Sequence, residues 1–359
     1  MHNIFETMMQ HKHERVYLAT DSVSGLRAAI ALHNTVRGPA IGGVRLWQYN
    51  NEEAAIQDVL RLSEAMTFKA AVADIPFGGG KSVILADGKE QEPGIRAARL
   101  RAFGRFVESL GGRYIAGPDV GTSPADMAQI KDVTGHVVCC PVELGGSGDP
   151  ASMTAFGVLQ GMRALAEEAL GLSSLGGVRV AIQGLGNVGM NLARMLIQVG
   201  AVVIGTDIRP EVVKQARMHL PIEVVVPEAI YDVPAAIFAP CALGGILNDR
   251  TIERLSCQII AGAANNQLEN DRHAELLRQC GIVYGVDYVL NAGGLITAAQ
   301  EIEGYDQQKA RQRVANIYYT VKRMLAISKA EQVSTLSAAR QMAAEVLQRP
   351  YTTEALAGH

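Results

Sequence analysis

The sequence predicts an α/β protein of two domains, one of which is a Rossmann-type doubly wound parallel sheet. Its length of 359 residues suggests about two domains. From Val178 onward, short apolar runs that resemble strands alternate with helical patterns. One of these runs leads directly into Gly184-Leu185-Gly186-Asn187-Val188-Gly189. Together these features favour two α/β domains, of which the second is a dinucleotide-binding domain.

Composition excludes several classes of protein. The chain is 48% hydrophobic and 19% charged, with a net charge of -3, which is typical of a soluble globular protein and not of a nucleic-acid-binding one. No apolar run reaches the roughly 18 residues that a membrane span needs, and the first residues lack the layout of a signal peptide. We therefore expect a cytoplasmic protein with neither nucleic acid nor membrane as a partner.

The cysteines are odd in number and show no CxxC spacing, which favours a reducing compartment. No ligand cluster indicates a metal. We interpret all five as packing residues: Cys139, Cys140, Cys241, Cys257 and Cys280.

Strand and helix patterns are mixed in the first third of the chain. Strands are predicted at 16–19, 26–32 and 82–85, and helices at about 52–68 and 92–110. The glycine-rich stretch 145–150 is typical of a hinge. Residues 1–145 are therefore predicted to form the substrate-binding domain.

The second domain is predicted at 146–325. After a helix at about 154–170, strands are expected at 178–183, 201–206, 236–239, 258–261 and 282–284. Residues 311–347 have helical periodicity, and we expect the helices at about 326–359 to return and complete the first domain.

The glycine hexapeptide has the context of a dinucleotide fingerprint, because an apolar strand precedes it and a helix follows. Gly184, Gly186 and Gly189 would give a tight turn, close approach to a pyrophosphate and close helix packing, while Asn187 and Val188 open a helix whose N–H groups face the phosphates. The alternative is a plain tight turn between strand and helix.

Asp207 ends the second predicted strand, 18 residues after Gly189. A carboxylate at this place binds the adenosine ribose hydroxyls and repels a 2′-phosphate, so NAD is favoured over NADP. Arg209 leaves the alternative open, because an arginine nearby can accommodate that phosphate.

Two lysines flank a glycine run in the first domain. Lys69 follows apolar residues at helical spacing, whereas Lys81 comes directly after Gly78-Gly79-Gly80. Lysines can pair with a carboxylate or, when desolvated, act as a base. We expect the glycines to let substrate and nicotinamide approach the backbone. The plain alternative for Lys69 is a cation at a helix end.

Asp119 lies in the turn-like segment Gly117–Thr122, after a strand-like run at 113–116. An isolated aspartate in such a turn is usually a cap. Beside a lysine of suitable pKa, however, a carboxylate can exchange protons with an amine.

At this point the sequence resembles the Glu/Leu/Phe/Val amino-acid dehydrogenase family, and most closely its leucine dehydrogenase branch, with the phenylalanine and tryptophan enzymes next. The resemblance covers nearly the whole chain. It is carried by blocks in the family's order: 38–45, the Lys69 and Lys81 segments, 117–122, 184–189, 239–245, 261–268 and 291–294.

This resemblance implies oxidative deamination, in which an amino acid, NAD and water give a 2-oxo acid, ammonium and NADH. It implies that Lys69 binds the substrate carboxylate, Lys81 activates water and Asp119 shuttles protons to the substrate nitrogen. Asn265 and Asn266 would lie near substrate and nicotinamide, in an order that the sequence leaves open. The further positions that it implies are Gly43 for substrate and Thr154, Ala239, Cys241, Ala242 and Asn265 for the cofactor, with Asp149 near the cleft.

Side-chain specificity in the family is implied to depend on Ile41, Gly117, Leu295 and Ala298. None is a cation, so a glutamate substrate is disfavoured. Leucine enzymes typically carry alanine at the position of Gly117, whereas phenylalanine enzymes more often carry glycine. Overall resemblance makes leucine, valine or isoleucine the first expectation and an aromatic amino acid the alternative.

Two other classes of function remain as alternatives. A non-catalytic NAD-binding regulator would not need Lys69, Lys81 and Asp119 together. A hydroxy-acid dehydrogenase would need a histidine and acid pair, but we interpret His136 and His273 as surface or packing residues. The family also implies a homo-oligomer, and it implies that an α/β substrate and oligomerisation domain is separated by a cleft from the Rossmann-type NAD domain.

Overall fold

A computed structural model describes residues 4–349. Its strands are β1 Arg15–Asp21, β2 Leu26–Asn34, β3 Ala40–Trp47, β4 Gly78–Leu85, β5 Tyr114–Pro118, β6 Arg179–Gln183, β7 Val202–Thr206, β8 Glu223–Val224, β9 Ile237–Pro240, β10 Ile259–Ile260 and β11 Val283–Tyr284. Its α-helices are α1 Ile4–His11, α2 Glu52–Val72, α3 Pro93–Glu108, α4 Pro124–Lys131, α5 Ala151–Leu170, α6 Asn187–Gln198, α7 Pro210–His219, α8 Asp249–Ile252, α9 Arg272–Gln279, α10 Asp287–Leu290, α11 Gly293–Ile302, α12 Gln307–Ala315, α13 Ile317–Glu331 and α14 Thr335–Leu347.

A mixed sheet with the order β1-β2-β4-β3-β5 forms the core of the first compact unit. The β1–β2 and β2–β4 pairs are antiparallel, whereas β3 is parallel to both β4 and β5. Helix α2 packs on one face through Ala55, Val59 and Leu60, and Leu100 and Phe103 of α3 pack on the other. The face beneath α2 carries the site described below.

The glycine run is the start of β4, inside the sheet, and it is not a loop open to ligands. A Cβ on Gly79 would lie 2.1 Å from the backbone N of Thr67, and one on Gly80 would lie 3.0 Å from the ring of Tyr114. These glycines therefore let α2 and β5 approach β4 closely. The expectation that they make room for substrate and nicotinamide is wrong, because protein atoms fill that space.

The second unit contains a six-stranded sheet with the order β11-β10-β9-β6-β7-β8. All of its strand pairs are parallel. Strand order reverses between β6 and β9, and in doubly wound sheets a ligand binds at the carboxyl ends of the strands at this switch point. The predicted Rossmann-type fold is confirmed.

The two compact units consist of residues up to Asp149 with Ala298–Gln307 and the chain from Ala343, and of Pro150–Thr297 with Gln308–Met342. This division differs from the expected return of 326–359, because α13 packs on α5 and 326–342 falls in the second unit. Residues 350–359 lie outside the described residues. The domain limits of 1–145 and 146–325 stay a prediction.

Most predicted elements are confirmed, including the strands at 16–19, 26–32 and 82–85 and the helices near 52–68, 92–110 and 154–170. Strand β3 was not predicted from the sequence, because its Gly42-Gly43 pair hides the strand pattern. All five cysteines are free. Cys280 is exposed, so its interpretation as a packing residue is wrong. Within residues 4–349, no helix combines the length and apolarity needed to cross a bilayer.

Candidate active site

The site in the first unit is built on one face of the sheet. Gly43 of β3 pairs with Gly117 of β5. Because alternate residues of a strand point to the same face, Asp119 just past β5 shares the face of Gly117. A Cβ on Gly43 would lie 2.7 Å from Cβ of Asp119 and 2.9 Å from Nζ of Lys81. Lys81 of β4 and Asp119 just past β5 therefore come together over Gly43 of β3, because the glycine has no side chain to separate them.

Lys81 and Asp119 form a buried ion pair. Lys81 Nζ lies 2.9 Å from Asp119 Oδ2, and the two side chains are only 6% and 15% exposed. Burial lowers the pKa of Lys81 from its usual value, although Asp119 opposes this. Burial disfavours the charged form of Asp119, but the charges of Lys81 and Arg45 outweigh it and lower its pKa to about 2. The carboxylate of Asp119 is therefore charged at neutral pH, whereas burial makes the Lys81 ammonium easier to deprotonate than a lysine in water.

Arg45 is a member of this site that the sequence analysis did not assign. Its Nε donates to Asp119 Oδ2 at 2.8 Å, and its Nη1 donates to Asp58 Oδ2, also at 2.8 Å. The signal was available, because Arg45 lies two residues after Gly43 on a strand and must share its face. The analysis had not recognised that strand.

Asp58 connects this group to α2. Its Oδ2 also accepts from the hydroxyl of Tyr49 at 2.7 Å, and its Oδ1 accepts from Arg61 Nη2 at 2.8 Å. Burial opposes the charge of Asp58, but Arg45 and these donors lower its pKa below the usual value. The polar chain thus runs from Lys81 through Asp119 and Arg45 to Asp58.

Lys69 lies in the last turn of α2, as its sequence pattern predicts. Thr67, two residues before it, packs against Gly79 of β4, two residues before Lys81. The two lysines therefore lie on directly packed segments. Lys69 is half-buried, and a cation there also favours the helix dipole.

Ile41 and Gly117 share the face that carries Gly43. Ile41 is buried, and a Cβ added to Gly117 would have one neighbour within 4 Å, Val138 Cγ2 at 3.4 Å. Gly117 therefore leaves space beside Val138. Leu295 and Ala298 are buried on α11, one turn apart. That these four residues line one pocket stays a prediction.

In the second unit, the three fingerprint glycines have different surroundings. Gly184 has φ +96°, and its Cβ would lie 2.7 Å from that of Ala242. A Cβ on Gly189 would lie 2.0 Å from the oxygen of Gly184, so α6 can pack close to β6 only with glycine there. Gly186 has more space, since its Cβ would approach only Arg209 Nη2, at 3.5 Å.

The start of α6 suits an anion. Gly186 is its N-cap and, being a glycine, makes no side-chain cap bond, so the backbone N–H groups of the first turn of α6 face the glycine turn. A side chain at Gly186 would fill the space in front of them. A pyrophosphate therefore fits this turn.

Asp207 lies next to the same turn. Its Oδ2 accepts from the backbone N of Leu185 at 2.9 Å, and its Oδ1 accepts from the backbone N and Nε of Arg209, both at 3.0 Å. Burial disfavours the charged carboxylate, but Arg209 and these bonds lower its pKa. A sugar hydroxyl can be bound here, and Arg209 offers a cation beside it.

The remaining cofactor candidates follow the neighbouring strand. Ala239 is in β9, and the backbone N of Cys241 donates to Gln183 O at 2.7 Å, which holds Cys241 and Ala242 beside the glycine turn. Thr154 lies in the first turn of α5, where its hydroxyl donates to Pro150 O.

Asn265 and Asn266 have different surroundings. Asn291 Nδ2 donates to Asn265 Oδ1 at 2.8 Å and to Ala263 O at 3.0 Å. Asn266 has φ +51°, and its backbone oxygen accepts from Gly245 N at 2.8 Å. Asn291 thus fixes the amide of Asn265, whereas Asn266 shapes the backbone. The sequence analysis gave Asn291 no role.

The other histidines and possible metal ligands were also located. His273 is buried on α9, and His136 is partly exposed near Glu108. Residues 4–349 contain no group of three or more His, Cys, Asp or Glu arranged to hold a metal.

Comparison with known proteins adds the following. The family model described as Glu/Leu/Phe/Val dehydrogenase, dimerisation domain, matches residues 7–136, and the one described as Glutamate/Leucine/Phenylalanine/Valine dehydrogenase matches 145–216 and 209–353. Leucine dehydrogenase of Geobacillus stearothermophilus is 46% identical over 342 residues, which is 95% of this chain and 92% of that protein.

Enzymes named for aromatic substrates are similarly related. Phenylalanine dehydrogenase of Caldalkalibacillus thermarum is 43% identical over 344 residues, covering 94% of this chain and 92% of its own. The crystal structure of L-tryptophan dehydrogenase from Nostoc punctiforme superposes with a TM-score of 0.80 at 45% identity and covers 96% of this chain and 98% of that one.

Proposed function

The chain belongs to the Glu/Leu/Phe/Val dehydrogenase family, and from that premise we propose that it is an NAD-dependent dehydrogenase of an apolar L-amino acid. It converts the amino acid, NAD and water reversibly to the 2-oxo acid, ammonium and NADH. The observation that carries this proposal is the 2.9 Å pair of Lys81 and Asp119, held on one sheet face. A regulator that only binds NAD has no need of such a pair.

Lys69 binds the substrate carboxylate, and Lys81 and Asp119 move the protons. The position of Lys69 supports this, since its helix segment packs on β4 close to Lys81. Burial lowers the pKa of Lys81, so its amine can take a proton from water as the water attacks the imine carbon. Asp119 takes the proton of the substrate amine, which must be neutral before Cα can lose a hydride.

NAD, when bound, accepts that hydride from Cα. Gly184, Gly186 and Gly189 with the start of α6 would hold its pyrophosphate, and Asp207 its ribose hydroxyls. Ala239, Cys241, Ala242 and Thr154 would line the rest of the cofactor site. NAD is favoured over NADP because the Asp207 carboxylate is charged.

Asn265 is the amide that faces the reactants. This assignment is supported by the bond from Asn291 Nδ2 to Asn265 Oδ1, which fixes the orientation of the Asn265 side-chain amide. Asn266 serves through its backbone conformation.

Branched-chain substrates are the first choice. The absence of a cation at Ile41, Gly117, Leu295 and Ala298 supports an apolar side chain, and leucine dehydrogenases are among the relatives at 44 to 46% identity. One observation favours an aromatic amino acid as the second choice, namely the open space that Gly117 leaves beside Val138.

The subunits form a homo-oligomer through the first unit, whose matching family model is named a dimerisation domain. Strand β1 is an edge strand with Leu18 69% exposed, and an unpaired edge can bind a second copy. The five free cysteines support a reducing compartment such as the cytoplasm.

The test is NADH oxidation with the 2-oxo acids of leucine, valine, phenylalanine and tryptophan, each with and without ammonium. We expect activity only when ammonium is present, with the leucine and valine oxo acids preferred. Activity that does not depend on ammonium would contradict an amino-acid dehydrogenase. A strong preference for the phenylalanine oxo acid would overturn the first choice of substrate.

A further inference from the structure

The two oxygens of the Asp119 carboxylate have different surroundings. Both Lys81 Nζ, at 2.9 Å, and Arg45 Nε, at 2.8 Å, contact the same oxygen, Oδ2. Within the described part of the chain, no donor contacts Oδ1. Two cations therefore fix the carboxylate through one oxygen and leave the other to accept a hydrogen bond from a ligand.

The guanidinium of Arg45 suits this task. Its Nε binds Asp119 and its Nη1 binds Asp58, so one rigid planar group joins two carboxylates. All three side chains are at most 16% exposed. A lysine has a single nitrogen on a flexible stem and cannot hold both acids in a fixed geometry.

Asp58 anchors Arg45 to the helix that carries Lys69. Tyr49 also donates to the same Asp58 oxygen, which restrains that carboxylate. Lys69 follows Asp58 by eleven residues, about three helical turns, so the two lie on the same side of α2. Through Arg45, the acid on β5 is therefore tied to the helix with the lysine proposed to bind the substrate carboxylate.

We propose that Arg45, anchored by Asp58, is a positioning residue that holds Asp119 with Oδ2 toward Lys81 and Oδ1 toward the substrate nitrogen. This inference rests on the proposed function, because a substrate nitrogen is present only if the enzyme acts on an amino acid. Arg45 itself touches neither water nor substrate in this role. Arg45 fixes the position of Asp119, the proton acceptor, relative to Lys69, the residue proposed to bind the substrate carboxylate.

The test compares Arg45→Met, Arg45→Lys and Asp58→Asn in the full-length protein, measuring kcat, KM and their pH dependence in both directions of reaction. For Arg45→Met we expect kcat to fall about 100-fold, within the usual effect of a misplaced acid or base, with KM for the amino acid changed about threefold at most. The acidic limb of the pH profile for oxidative deamination should move up by about one unit, because Lys81 must be neutral there and a cation that disfavours its protonation is removed.

The other variants separate the effect of the positive charge of Arg45 from the effect of its hydrogen bonds to two carboxylates. Arg45→Lys should restore the pH profile but only part of kcat, since it keeps the charge and loses one bond. Asp58→Asn should lower kcat about tenfold with Arg45 still present. The control is Arg61→Met, which removes an exposed arginine whose partner within residues 4–349 is Asp58 Oδ1, and it should leave kcat unchanged.

An Arg45→Met enzyme with parental kcat and pH profile would overturn the inference, as would Asp58→Asn with parental kcat. If Arg45→Met does not fold, Asp58→Asn decides alone. A parent enzyme without ammonium-dependent activity would instead refute the proposed function, so the two failures are distinguishable.

Discussion

Gly43 shows how one absent side chain makes a site. The two nearest atoms that a Cβ there would meet belong to the partners of the ion pair, Asp119 and Lys81. The sequence analysis assigned Gly43 to substrate, and the structure shows that the space over it belongs to the pair. That Gly43 contacts the substrate directly stays a prediction. Because glycine has no side chain, such a contact would come from its backbone.

We predict that Gly43→Ala lowers kcat at least about 100-fold, because its Cβ would lie 2.9 Å from Lys81 Nζ and displace it. Steady-state kinetics measure this. The control is Gly94→Ala, near the start of α3, where a Cβ would meet nothing within 4 Å. Equal activity of the two variants would contradict the packing argument.

Replacing Lys81 tests its proposed catalytic role directly. We predict that Lys81→Ala abolishes turnover and leaves NAD binding intact, since the cofactor candidates lie on other elements. Activity and NAD affinity by calorimetry are measured on the same preparation. Loss of both together would mean that Lys81 is needed for folding.

At the scale of elements, the packing of α2 on β4 determines where both lysines lie. The Gly79 contact with Thr67 leaves no room for a side chain. We predict that Gly79→Ala destabilises the protein by about 1–3 kcal/mol, the usual cost of overpacking. Denaturant unfolding beside Gly94→Ala measures it, and equal midpoints would show that α2 can move without cost.

Three histidines connect α1, β2 and α2. His33 contacts Thr67 Oγ1 at 2.8 Å and His11 O at 2.8 Å, while the ring of His13 lies 4.7 Å from that of His33. Burial lowers the pKa of both His13 and His33 from the usual 6.5. His13 Nδ1 is buried without a hydrogen-bond partner, so protonation there would create an unsatisfied donor.

A histidine with a lowered pKa stabilises the fold fully above 6.5, and this contribution is lost as pH falls below it, since the unfolded chain then binds more protons. We predict a loss of about 1 kcal/mol or more between pH 7 and 5.5. His13→Gln should reduce this loss, whereas His219→Gln, at an exposed position of α7, should not. Urea unfolding at each pH measures the effect, and an unchanged slope in His13→Gln would contradict it.

Over the whole molecule, each unit presents its own set of functional residues. The first holds Lys81, Asp119 and Arg45 on one sheet face, and the second holds Asp207 and the glycine turn at the reversal of strand order. The proposed reaction needs both sets. In the proposed function, the choice between NAD and NADP depends on Asp207 and Arg209 of the second unit.

We predict that Asp207→Ala lowers kcat/KM for NAD about tenfold or more and raises the relative use of NADP, because Arg209 is then free to bind a 2′-phosphate. Kinetics with both cofactors measure the ratio. In the matched variant Arg209→Met, the preference for NAD should persist or increase. A ratio that neither change alters would mean that this pair does not contact the cofactor.

The sequence by itself determined the fold class, the dinucleotide turn and the family, because these depend on local periodicity, on glycine spacing and on blocks in a fixed order. It also predicted functional roles for Lys69, Lys81 and Asp119, and these roles stay predictions. Only the tertiary structure decided that Arg45, Asp58 and Asn291 join the sites, and that the glycine run serves packing. The physical reason is that register and helix packing determine which distant side chains meet, and neither is encoded in the spacing along the chain.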